Sequence, residues 1–222
     1  NYMIISVVGN ADNVKKNVEK YFGILKPGKV IKRSYVDEPL QTKAKKFVEK
    51  KKTLNSYMVL GYKTVPWQHK DSYVFDVISA VLGRGQSGWM FNEIRNKRGL
   101  AYQVGVNAED EYDYGTFAVY AGLDKKKIEK AKEIMLQQFK RLQKLTKKDL
   151  DEAKTYIEGN HTLQMEDNFQ NTDNLAVWES FGDAGLADSY LKNIRKVTVD
   201  DVRRVAKKYF NDKYTLVVIE QE

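Results

Sequence analysis

Arg95 and Tyr102 stand seven positions apart across a glycine turn, in the stretch Ser87-Gly88-Trp89-Met90-Phe91-Asn92-Glu93-Ile94-Arg95-Asn96-Lys97-Arg98-Gly99-Leu100-Ala101-Tyr102. An arginine near a helix end and a tyrosine on the next strand can aim two hydrogen-bond donors at one point. Such a pair holds a peptide carbonyl or stabilises an oxyanion. The same two residues also serve elsewhere as a structural arginine and a core tyrosine, and spacing alone leaves both readings open. Just upstream, Gly83-Arg84-Gly85-Gln86-Ser87-Gly88 joins two helical segments. It lacks the lysine-serine or lysine-threonine ending of a phosphate loop and the G-x-S-x-G frame of a serine nucleophile, so it reads as a helix connector.

Metal chemistry has no foothold in the sequence. Zinc hydrolases place two histidines and a glutamate at fixed helical spacing, H-E-x-x-H or its inverse H-x-x-E-H, so that the ligands share one face. Neither pattern occurs. The two histidines, His69 and His161, lie in different elements and are expected in surface or capping roles, and no metal ligand is assigned. The absence of cysteine removes disulfides, thiolate zinc sites and cysteine catalysis together.

Composition narrows the class. With 222 residues, 42% of them hydrophobic, the chain can bury a real core, and 31% charged residues mark it as soluble. No apolar run is long enough to cross a bilayer, so no membrane span is expected. The compartment stays open, the cytoplasm being slightly favoured. Lys plus Arg outnumber Asp plus Glu by 38 to 30, a net +8, which admits a nucleic-acid or acidic-peptide partner. Much of the excess sits in lysine clusters at element ends, Lys50-Lys51-Lys52 and Lys125-Lys126-Lys127 among them. With neither clustered arginines nor an aromatic-basic motif, no nucleic acid is expected as partner.

The elements that must position Arg95 and Tyr102 follow from periodicity. Met3 to Val8 reads as a strand, followed by a helix carrying Val14, Val18, Tyr21 and Phe22. Pro27-Gly28 and Glu38-Pro39 mark a linker. Lys45 to Lys51 and Asn55 to Tyr62 alternate and are expected as two adjacent antiparallel strands. Asp71 to Leu82 and Trp89 to about Lys97 are helical, Ala101 to Ala108 and Gly115 to Gly122 form a meander, and Asp124 opens a long amphipathic helix. Thr146 begins a further helical run, Thr198-Val199-Asp200-Asp201 caps the last helix, and Tyr214 to Ile219 is the closing strand. This order predicts an α+β fold, a largely antiparallel sheet with helices packed on one face. The opening strand lacks neighbours of its own. Residues 1–24 are therefore expected to be the last strand and helix of a preceding similar domain, 25–43 a linker and 44–222 the main domain of a piece cut from a longer chain.

The segment from Ser87 to Tyr102 resembles the pitrilysin family of inverse zincins, whose members carry a small-residue turn, a helix ending in arginine and then Gly-Leu-Ala-Tyr or a near variant. Val7-Val8-Gly9-Asn10, Tyr21-Phe22-Gly23, Thr146 to Ala153 and Val197 to Phe210 extend the likeness along nearly the whole chain, which matches the family's C-terminal half. The resemblance implies a processing-peptidase-like domain, with catalytic roles for Arg95 and Tyr102 on the scissile carbonyl. It also implies substrate contacts from the loop of Gly83, Gly85, Ser87 and Gly88. Zinc would be bound by an N-terminal half that this segment does not contain, in the same chain or on a partner subunit, so the segment by itself is expected to be inactive. Implied partners are a peptide or unfolded polypeptide substrate and a zinc-binding half, with homo- or hetero-dimers possible. The family also contains non-catalytic partner and scaffold subunits, which is the alternative reading.

Overall fold

Five segments become strands: β1 (Lys45–Lys51), β2 (Ser56–Lys63), β3 (Ala101–Asp110), β4 (Gly115–Leu123) and β5 (Thr215–Gln221). In the computed structural model, which describes residues 3–26, 28–29 and 39–222, they form one sheet in the order β1-β5-β2-β4-β3. Every pairing is antiparallel except β1 with β5. The α+β class and the largely antiparallel sheet therefore hold. The expected adjacency of the first two strands does not, because β5 lies between them. Leu216 and Val218 of β5 are 1% and 2% exposed, whereas every residue of the lysine-rich β1 is exposed. The apolar strand takes the interior and the charged one becomes an edge, where lysines discourage further pairing.

One sheet face is covered. Met58, Leu60 and Tyr62 of β2 and Phe117, Val119 and Ala121 of β4 point into the core, each successive one two residues on, as the pleat requires. They meet α2 (Ser72–Gly83), α4 (Ile128–Arg141) and α8 (Val199–Tyr209), whose apolar stripes carry Ile78, Phe139 and Val205. Tyr62, Phe117, Phe139 and Phe210 stack in one aromatic cluster, with Phe139 and Phe210 ring centroids 4.6 Å apart. Each buried large apolar side chain stabilises the fold by about 1.5–3 kcal/mol. On the other face Tyr57, Val59, Tyr120 and Val217 remain exposed. At the start of α8, where the sequence places a helix opening, the Thr198 hydroxyl accepts from Asp201 N (3.1 Å) and the Asp201 carboxylate accepts from Thr198 N (3.1 Å), a reciprocal cap.

Two compact units divide the chain. The sheet unit comprises Glu38–Ile157 and Asn193–Glu222; the described part of Asn1–Asp37 makes the other with Glu158–Lys192. The smaller unit holds α1 (Val14–Phe22), the end of α5 (Lys147–Glu166), α6 (Asn168–Phe181) and the start of α7 (Tyr190–Lys196). Residues 3–8, expected as a strand, join no ladder among the described residues, and Met3, Ile4, Ile5 and Val7 stay exposed. A strand exists only with a partner, and none of the five strands supplies one. Of the expected linker, Pro27 and residues 30–38 lie outside the described residues. Among those described, no helix is long and apolar enough to cross a membrane.

Candidate active site

The site begins where α2 ends against β3. A Cβ on Gly83 would lie 2.7 Å from the Val106 Cβ, so only glycine lets the helix terminus close on that strand. Gly85 turns the chain with a φ of 49°, and a Cβ on Gly88 would meet the Leu82 carbonyl oxygen at 2.7 Å. The loop thus folds tightly back on the end of α2. From it rises α3 (Trp89–Phe91), with Trp89 held beneath the Arg141 guanidinium at 3.9 Å from the ring centroid. The helix then widens into a π turn over Asn92–Asn96, where Lys97 N donates to Asn92 O (2.9 Å), a form of helix that recurs at functional sites. Gly99, with φ of 56°, turns the chain into β3.

Within that turn the charges are sorted. The buried Glu93 carboxylate accepts from Lys97 Nζ (2.6 Å) and from Arg98, whose Nη1 also donates to Glu93 O (2.9 Å). The Lys97 hydrogen bond, working against burial and reinforced by Arg98, holds the Glu93 carboxyl below the usual glutamate range. Arg95 has no carboxylate partner among the described residues. Its guanidinium donates to the Tyr102 carbonyl oxygen and lies 5.1 Å from the Phe91 ring centroid. It therefore brings a full positive charge to the surface.

Beside Arg95 lies a hollow of about 260 Å³. Gly83, Gly85 and Gln86 supply one wall, Phe91 and Arg95 another, and Val104–Val106 of the edge strand β3 a third. Of the residues singled out in the sequence, Gly83, Gly85 and Arg95 meet here. Ser87 does not: its hydroxyl donates to Arg84 O (3.0 Å) and it lines a second hollow. Gly88 is packed beneath the loop. Tyr102 is 64% exposed, and its backbone carbonyl is the group that Arg95 engages. Gln86, Phe91 and Gly105 were missed. Gly105 carried a signal, a glycine inside the alternating Val104-Gly105-Val106; a Cβ there would lie 2.1 Å from the Tyr120 hydroxyl.

A resident metal does not fit these residues. No group of three or more His, Cys, Asp or Glu side chains among the described residues could hold one. His69 Nδ1 accepts from Asp71 N (3.0 Å), and the His161 ring packs 5.6 Å from that of Tyr190.

The fold defines the class first: an α+β domain built on a five-stranded, largely antiparallel sheet. It is similar to the crystal structure of a protease from Helicobacter pylori, at 27% identity over 96% of this chain and 53% of that one, with a TM-score of 0.85. A peptidase M16 inactive domain from Pseudomonas fluorescens shares the fold at 20% identity, covering 86% of this chain and 47% of that one, TM-score 0.74. The chain belongs to the peptidase M16 family, since the model of its inactive domain matches residues 1–157, and it corresponds to the C-terminal half of a pitrilysin-type protease. Curated relatives include the uncharacterized zinc protease YmxG of Bacillus subtilis, 27% identical over 98% of this chain and 53% of its own length. The zinc protease PqqE of Helicobacter pylori is 30% identical over 97% and 50%. The chain thus spans about half the length of these relatives.

Proposed function

We propose that this chain is the substrate-clamping half of a zinc metallopeptidase, with the zinc carried by a different half, in the same polypeptide or on a partner subunit. The observation that carries the reading is Arg95, a cation with no carboxylate partner among the described residues, at a hollow walled by an edge strand. An extended peptide lies along β3 and extends the sheet through its main chain. Arg95 turns from the Tyr102 carbonyl to the scissile carbonyl and stabilises the negative charge that grows there, with the exposed Tyr102 hydroxyl as the second donor. Gly83 and Gly85 keep the hollow clear of side chains, and Ser87 and Gly88 shape the loop that carries them. The names of the relatives support a zinc protease, and the segment's own donor set supports placing the metal elsewhere.

The test is cleavage of a quenched fluorescent peptide library by this chain alone and joined to its zinc-binding half. Activity is expected only in the joined form, and Arg95→Ala or Tyr102→Phe should lower turnover by about 10²-fold. Near-normal turnover in both variants would remove these residues from the active site. No cleavage by the folded, zinc-loaded assembly would leave the non-catalytic scaffold.

A further inference from the structure

The loop after α2 separates two hollows. Gly83, Gly85 and Gln86 face the one beside Arg95, while Arg84 and Ser87 line a groove of about 780 Å³ whose opposite wall is the first turns of α5. Arg84 is what the fold leaves unexplained. Its side chain is only 9% exposed, one terminal guanidinium nitrogen donates to the Glu152 carboxylate, and the other, Nη1, is buried without an acceptor among the described residues. Folded proteins rarely leave a charged donor in that state, because its lost hydration is not replaced.

The groove also holds more donors than acceptors. Lys147 takes Asp151 at 2.5 Å, and Glu152 is shared between Arg84 and the exposed Lys148, 4.0 Å away. The Tyr156 hydroxyl has no hydrogen-bond partner among the described residues and belongs to a residue 39% exposed. Three donor-bearing residues therefore line the groove with one positive charge in excess: Arg84, Lys148 and Tyr156. A singly charged group with two acceptor oxygens matches them. A phosphate dianion does not, because Asp151 and Glu152 in the same wall repel the second charge.

We propose that this groove is a subsite for the carboxylate of an acidic side chain on a peptide, bound by Arg84, Lys148 and Tyr156. Arg84 meets it by a small rotation of its outer torsions, retaining Glu152 on the other nitrogen. The assignment to a peptide rests on the clamping role proposed above: consecutive residues of one loop line both hollows, and an extended chain advances about 3.3 Å per residue. A few residues of substrate then link the Arg95 hollow to this groove, which gives the clamp a preference for acidic peptides.

Calorimetric titration of the 222-residue chain tests this with four probes: a blocked pentapeptide with one Glu, its Gln counterpart, succinate and inorganic phosphate. The Glu peptide is expected to bind about tenfold tighter than the Gln peptide, with Arg84→Met removing the difference. Glu152→Gln, which frees the whole guanidinium, should strengthen Glu-peptide binding by about threefold, a gain that a merely structural ion pair would not give. Equal affinity for the two peptides, or a preference that persists in Arg84→Met, overturns the subsite. Should Arg84→Met fail to fold, Glu152→Gln and Tyr156→Phe decide: affinity must rise in the first and fall in the second, and any other result overturns it. Succinate or phosphate binding as tightly as the Glu peptide overturns the assignment to a peptide. Because binding is read without cleavage, Arg95→Ala should leave the Glu preference intact. Failure of the clamp and failure of the subsite are thus distinguishable.

Discussion

Arg95, Lys97 and Arg98 fall within four positions of one another, and one buried carboxylate, Glu93, takes up the last two. The selection is a matter of register. In the π turn, Glu93 reaches Lys97 and Arg98, while Arg95 points to β3 and Phe91. Replacing Glu93 with Gln keeps the shape and removes the charge, leaving two cations without their partner beside Arg95. The expected cost is about 2 kcal/mol, read by urea unfolding at neutral pH, because hydrogen bonds to a charged acceptor are lost. Its pH signature is fixed by sign. The folded carboxyl lies below the ordinary 4.5, so its contribution is present above that value and disappears as pH falls through the folded pKa. The wild-type and Glu93→Gln stabilities should therefore converge in acid; a gap that stays constant would show that packing, and not charge, is what Glu93 supplies.

At the scale of elements, a tyrosine of β4 fills the space over a glycine of β3, the strand that walls the hollow. Tyr120 of β4 crosses its register partner Gly105 on β3, and a side chain at 105 would overlap the tyrosine ring. Gly105→Val is expected to destabilise the chain by about 1–3 kcal/mol, as overpacking does, and Tyr120→Ala in the same chain should restore much of it. Strict additivity of the two changes would mean that the close approach is not what requires glycine. Much of the local structure was legible: the alternation of β2, the Thr198 cap of α8 and the helix before the glycine loop all rest on short-range chemistry. Strand order was not. The placement of β5 between β1 and β2 follows from competition for the interior between segments more than 150 positions apart in the chain. The walls of the hollow were hidden for the same reason, since Val104–Val106 form a wall only because the end of α2 packs against β3. Arg95 was legible from the motif around it, whereas the π turn that frees it differs from an α-helix by a single residue of register and leaves no mark in hydrophobic spacing.

Across the whole molecule, one ion pair joins segments 133 positions apart. Asp71, fully buried before α2, accepts from both terminal nitrogens of Arg204 on α8, at 3.2 and 2.7 Å, with the Tyr209 hydroxyl at 3.4 Å. Around the carboxylate stand His69 Nδ1 at 3.8 Å and the charge of Lys208. Burial pushes the Asp71 carboxyl up, but the Arg204 hydrogen bonds and charge outweigh it, and the pKa ends below the ordinary 3.8. The two partners therefore differ in what their removal does. Asp71→Asn discards the pair but keeps hydrogen-bonding capacity, and is expected to cost about 2 kcal/mol at neutral pH. Arg204→Ala leaves a buried carboxylate with burial as its dominant influence, and should cost more, about 3–5 kcal/mol. The pH dependence reverses as well. In the wild type the pair's contribution is present above the ordinary pKa and fades as pH falls through the depressed one. In Arg204→Ala the Asp71 pKa moves above its unfolded value, so acid relieves the penalty and narrows the gap to wild type from the mutant side. Urea titrations at about pH 7 and about pH 4 separate the cases. A deficit in Arg204→Ala as large at the lower pH as at the higher one would mean that Asp71 is never an isolated buried charge, and that its other neighbours, Tyr209, His69 and Lys208, suffice to hold it.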